Sequence, residues 1–259
     1  MSQGFLGNCW FLSAVAAIAE RKDLLGNLFV TQETSALGVY QIRLCIHGEW
    51  KVFTIDDTLP CTADRRLAYS DGLRGQLWVP LLEKAMAKAH QSYADLTAGR
   101  LTEALEILTG MPTERLAIAS GGGGPVKPHR EGSGKEEPVD YDVLWVRLLS
   151  SREAGFLLGA SCGSDVIGSD VFESVGLVQD HAYSVLDTQL VDTRTGSVQL
   201  VLLRNPWGES ESDYLALPGT TWHHLAPPSR DGHWCGGPPF RSHVVVWPAV
   251  LALVTMMLF

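Results

Sequence analysis

The run Cys9-Trp10-Phe11-Leu12-Ser13-Ala14-Val15-Ala16-Ala17-Ile18-Ala19 holds no charge and no helix breaker, and it begins with a cysteine. It predicts an apolar helix opened by a thiol. A cysteine in a first helical turn sits among N–H groups without intrahelical partners and at the positive end of the helix dipole, and both favour thiolate over thiol. Gln3 lies six positions upstream, with Gly4 and Gly7 in between. These glycines let the chain fold back tightly, so that the Gln3 amide and the Cys9 backbone N–H can face one developing oxyanion. Taken alone, Cys9 also reads as a small buried hydrophobe on an apolar helix. A base elsewhere in the chain, with a group to orient it, decides between the two readings.

Ala182 to Asp187 and Ser197 to Arg204 alternate apolar and polar residues around a polar stretch, Asp192-Thr193-Arg194-Thr195-Gly196. This is the pattern of an antiparallel hairpin. Opposed residues in such a pair have positions of nearly constant sum, so a turn centred near Thr193 sets His181 beside Asn205. An Asn oxygen accepting from one imidazole nitrogen fixes the tautomer and leaves the other nitrogen to take a proton from Cys9. Trp207 follows at once, where an indole can cover the His–Asn bond from water. Separately, His181 reads as a strand-end histidine and Asn205 as part of an Asn-Pro turn. Together with Cys9 they read as a cysteine, histidine, asparagine triad.

Five segments extend this pattern: Gln3 to Trp10, Asp56-Asp57-Thr58-Leu59-Pro60, Leu77 to Ala85, His181 to Val185, and Arg204-Asn205-Pro206-Trp207-Gly208. In them the chain resembles the protease core of the calpains, from residue 3 to about residue 211. The stretch from Ser150 to Gly163 is most similar to the small-optic-lobes type, which carries zinc fingers upstream of its protease. The resemblance implies an α+β, papain-like fold in two lobes. The helical N-terminal lobe carries the cysteine, and the mainly antiparallel β lobe carries the histidine and asparagine. It also implies limited cleavage of intracellular proteins, with Cys9, His181 and Asn205 as the triad, Gln3 as the oxyanion-hole amide and Trp207 in support.

Composition agrees with such an enzyme. At 259 residues, 46% hydrophobic and 19% charged, the chain can bury a core or two packed lobes. A net charge of −9 lacks the basic surface that nucleic-acid binding needs, so protein substrates are the expected partners. Five cysteines without paired short spacing disfavour a disulfide framework or a zinc cluster, and with no secretory signal in view a reducing, cytoplasmic setting is expected. The expected organisation is a nucleophile subdomain over 1–119, a Gly/Pro-rich connection over 120–138, a partial second subdomain over 139–211 and a divergent, poorly ordered tail over 212–259. The four glycines at 121–124 lack the Lys-Ser or Lys-Thr of a nucleotide loop. Elsewhere the pattern predicts a hairpin turning at His47-Gly48, helices over 76–93, 102–109 and 141–151, and a strand terminus at Asp56-Asp57.

The thiol chemistry requires no cofactor. Calcium belongs to the full-length family, yet Gln76 stands where conventional members supply a glutamate, and Glu211 matches a second-lobe ligand position whose partners fall in the divergent tail. His223, His224, His233 and Cys235 are spaced too irregularly among prolines for a metal cluster. The apolar run 244–259, broken by Pro248, is shorter than the about 20 residues that span a bilayer, so no membrane anchor is expected. Two other readings come from different classes. One is a catalytically inactive interaction fragment, in which missing strands leave His181 out of register. The other is transglutaminase-like acyl transfer, against which Asn205 weighs because those enzymes orient the histidine with an aspartate.

Overall fold

The computed structural model describes residues 1–116, 141–162, 177–193, 196–208, 242–246 and 254–258. Helix α1 (Cys9–Ala19) begins at the cysteine, and every residue from Trp10 to Ile18 is buried. An uncharged helix of this kind needs partners all round. It has them: α4 (Leu101–Thr109) on one flank, strands β4 (Leu158–Cys162) and β5 (His181–Thr193) on another, and the short helix α2 (Lys22–Leu28) at its end.

Strands β1 (Val39–Ile46) and β2 (Glu49–Asp56) form the expected hairpin, with Ile46 opposite Glu49 and Val39 opposite Asp56. His47 and Gly48 both have positive φ, 54° and 78°, as a two-residue turn matched to the strand twist requires. His47 is exposed, as expected. Tyr40, Ile42 and Leu44 alternate into the core against α4 and α3 (Trp78–Ala89). Helix α3 is shorter than the predicted 76–93 and keeps Pro80 in its first turn, where a missing N–H does no harm. Helix α4 stops at Gly110, whose φ of 68° lets its N–H reach back to the Glu106 carbonyl at 2.8 Å. Asp56 ends its strand by accepting the Thr58 N–H and the Lys84 ammonium, each at 2.8 Å. Those two partners hold its carboxyl far below the usual range.

The second layer is an antiparallel sheet of order β3-β8-β4-β5-β6-β7, with β3 at Glu114–Leu116, β6 at Gly196–Arg204, β7 at Ser242–Val246 and β8 at Val254–Leu258. Helix α5 (Tyr141–Glu153) packs on β5 through the buried side chains of its Leu144, Trp145 and Leu148 face. Two segments of the stretch expected to be poorly ordered are therefore strands. The rest of 212–259, the connection at 120–138, Glu211 and the His223, His224, His233 and Cys235 group lie outside the described residues.

Chain residues 1–3 tie the layers together. Ser2 exchanges two backbone hydrogen bonds of 2.9 Å with Asp71, and the Gln3 N–H donates to the Pro206 carbonyl at 3.0 Å. No helix among the described residues is long and apolar enough to cross a membrane.

Candidate active site

Strands β5 and β6 pair from Thr193 opposite Gly196 down to Ser184 opposite Arg204, with a bulge at Leu186 between Val185 and Asp187. Constant-sum reasoning therefore needs correction. Continued past Ser184, the register would face His181 with Trp207 and Tyr183 with Asn205. The pair meets nonetheless, because the chain leaves the ladder after Arg204 and turns through Pro206, where the Gly208 N–H donates to the Asn205 carbonyl at 3.3 Å. The turn swings the Asn205 side chain onto the histidine. His181 Nε2 and Asn205 Oδ1 are 2.9 Å apart, and both residues are buried.

The same Oδ1 accepts the Trp207 backbone N–H at 3.0 Å. With an acceptor fixed there, Nε2 carries the imidazole proton and Nδ1 is left as the basic nitrogen. Two rings hold the imidazole. The Trp207 indole lies 4.6 Å from it, centroid to centroid, and the Tyr183 ring meets it edge-on at 5.0 Å. Tyr183 is itself held by its hydroxyl, which accepts the Val178 N–H at 2.9 Å. Burial pushes the His181 pKa down, against the hydrogen bond to Asn205.

Helix α1 delivers Cys9 to this strand. Burial pushes the Cys9 thiol up, against the backbone groups of Ala182, Trp10 and Cys9 itself, which favour the thiolate. Burial thus works against the thiolate that the helix start favours.

Gln3 reaches the same place through its backbone bond to Pro206. Its amide nitrogen donates to Leu6 O at 2.6 Å, closing the loop on itself. An amide nitrogen has two N–H groups, so one remains for a ligand. The loop is pressed against residues 68–69: the Phe5 N–H donates to Ala68 O at 3.1 Å, and a Cβ on Gly4 would stand 2.3 Å from Tyr69 O. Only glycine fits there. The fold thus gathers Cys9, His181, Asn205, Trp207 and Gln3 at one end of β5.

A buried polar node behind the loop was not anticipated. Glu83, on the inner face of α3, accepts from the Asn8 side chain at 2.6 Å and from the Ser70 N–H and hydroxyl at 3.0 and 2.7 Å. Asn8 sits at the helix-capping position but caps α1 only through its carbonyl, because its side chain is turned toward Glu83. Burial pushes the Glu83 carboxyl up, against these three donors. The available signal was a carboxylate among Val79, Leu82 and Met86, all completely buried. Gln76, at the position weighed for calcium, is neutral, and its Oε1 accepts the Trp78 indole N–H at 3.2 Å. Among the described residues no group of three or more His, Cys, Asp and Glu is placed to hold a metal ion.

Comparison with known proteins agrees with this arrangement. The family model described as calpain family cysteine protease matches residues 1–230, beyond the point near residue 211 where the resemblance was read as ending. The calpain-type cysteine protease ADL1 of Oryza sativa subsp. japonica is 40% identical over 93% of this chain, which covers 11% of that protein. The calpain-type cysteine protease DEK1 of Arabidopsis thaliana is 41% identical over 79% of this chain and 9% of its own length. The calpain-1 catalytic subunit of Homo sapiens is 32% identical over 88% of this chain and 30% of its own length. The chain thus spans about a tenth of the plant relatives and under a third of calpain-1. The family match across nearly the whole chain, on a fold that brings a helix-initial cysteine to a histidine–asparagine pair, places this chain in the calpain family of cysteine proteases.

Proposed function

We propose that this chain is a protease core that cleaves peptide bonds within proteins, with Cys9 as nucleophile, His181 as general base and acid, Asn205 as its orienting partner and Gln3 as an oxyanion donor. The observation that carries the reading is the 2.9 Å His181–Asn205 contact, made at the start of the strand against which the helix opened by Cys9 is packed. The Cys9 proton passes to His181 Nδ1 as the sulfur attacks the peptide carbonyl carbon. The carbonyl oxygen gains the negative charge and is met by the Cys9 N–H and the second Gln3 amide N–H. Imidazolium then protonates the leaving amine as the C–N bond breaks, giving a thioester. Water, deprotonated by His181, attacks the thioester carbonyl, and the thiol is restored.

The Trp207 and Tyr183 rings keep water from the His–Asn bond. The chemistry needs no cofactor. Gln76 brings no carboxylate charge to the position weighed for calcium, and catalysis is expected to persist without that ion. Protein substrates are the partners a protease core takes, and a reducing, cytoplasmic setting is compatible with described cysteines that are all free. An inactive fragment with His181 out of register has no support in a site where that residue is paired.

The test is cleavage of an unfolded protein substrate followed by mass spectrometry of the products. Internal cuts that Cys9→Ala lowers by about 10³-fold or more, with chelator making no difference, are expected. Equal cleavage by both forms would refute the proposal.

A further inference from the structure

Apolar packing holds α1 against β5, and apolar contact is non-directional, so it does not by itself fix how far the helix is displaced along the strand. Two hydrogen bonds do. The Ser13 hydroxyl donates to the Ala182 carbonyl at 2.8 Å, and the Ser184 hydroxyl donates to the Ser13 carbonyl at 2.8 Å. One runs from helix to strand and the other from strand to helix. Both serines are completely buried. Ser13 lies four residues after Cys9, on the same helix face. Ala182 adjoins His181.

Resting on the catalytic reading above, we propose that Ser13 and Ser184 are positioning residues for proteolysis, a reciprocal stitch that sets Cys9 at transfer distance from His181. Sliding α1 by one residue along β5 breaks both bonds, because hydrogen bonds weaken steeply with distance and angle. A misplacement of about 1 Å at reacting atoms costs on the order of 10²-fold in rate. The stitch is therefore worth far more to the chemistry than two neutral hydrogen bonds are worth to stability. Neither hydroxyl touches substrate in this account; each acts through the element it holds.

Because each bond ends on a backbone carbonyl, the two can be removed separately. Ser13→Ala keeps the bond from Ser184, and Ser184→Ala keeps the bond from Ser13. The experiment is iodoacetamide alkylation of the full chain across pH, read peptide by peptide, with the exposed thiol of Cys61 as internal standard. In the wild type, Cys9 should alkylate faster relative to Cys61 near about pH 6 than it does in His181→Ala, because the imidazole takes the thiol proton as the sulfur attacks. In the double variant that advantage should fall by about tenfold or more, leaving a profile governed by ionisation of the thiol alone, with unfolding still cooperative. Each single variant should fall between.

A double variant whose profile stays within about twofold of wild type would overturn the inference. If the double variant loses cooperative unfolding, the single variants decide, and wild-type profiles in both would overturn it. Wild-type reactivity that is indifferent to His181→Ala would overturn the catalytic reading and the stitch with it.

Discussion

Asn205 Oδ1 accepts from both His181 Nε2 and the Trp207 N–H, so a single side-chain atom fixes the imidazole and the turn that carries the covering indole. Replacing Asn205 by Ala leaves two buried donors unpaired and lets the imidazole rotate. Steady-state kinetics on a fluorogenic peptide should show kcat reduced by about 10²-fold with KM little changed, since the lost interaction orients a proton transfer rather than binding substrate. A rise confined to KM would contradict this. His181 carries a second consequence. Its folded pKa is depressed below the ordinary 6.5, so it contributes stability that is present above that value and lost as pH falls through the lower folded value. On acidification from neutral pH, thermal unfolding of the wild type should lose more in Tm than that of His181→Gln; parallel losses would exclude the effect. The candidate residues Cys9, His181 and Asn205 could be picked from the sequence because each stands at an element boundary. The protonation balance could not, because it depends on burial that no single motif encodes.

At the scale of elements, helix and hairpin were readable where the pattern is local. The β1–β2 turn, the Gly110 stop and the α1 run follow from nearby residues. The β5–β6 register does not: Thr193 pairs with Gly196, so opposed positions near the turn sum to 389 rather than the 386 of a turn centred on Thr193, and the Leu186 bulge recovers only one of those three positions. The Glu83 node was hidden for a related reason: Asn8, Ser70 and Glu83 are distant in sequence and meet only when α3 packs behind the loop that leads into α1. Glu83→Ala would leave the Asn8 amide and the Ser70 N–H without a buried acceptor. Urea unfolding should report a loss of about 3 kcal/mol, and Glu83→Gln, which retains one acceptor oxygen, a smaller one. Equal stability of Glu83→Ala and the wild type would show that the node is dispensable.

Over the whole molecule, helix α1, buried from Trp10 to Ile18, lies between a helical layer and an antiparallel sheet, and the candidate site forms where its first residue meets the end of β5. The α+β class was legible from the pattern and the resemblance. The strand order was not: β8 pairs with both β3 and β4, and β7 flanks β6, pairings across long sequence separations that no local signal announces. The central claim is that these layers align Cys9 with His181. Covalent labelling of Cys9 by an epoxide-type cysteine-protease probe, in the wild type, Cys9→Ala, His181→Ala and with or without added calcium, tests it most directly. Labelling in the wild type alone, unchanged by calcium, is the predicted result; folded wild-type protein that labels no better than His181→Ala would contradict it.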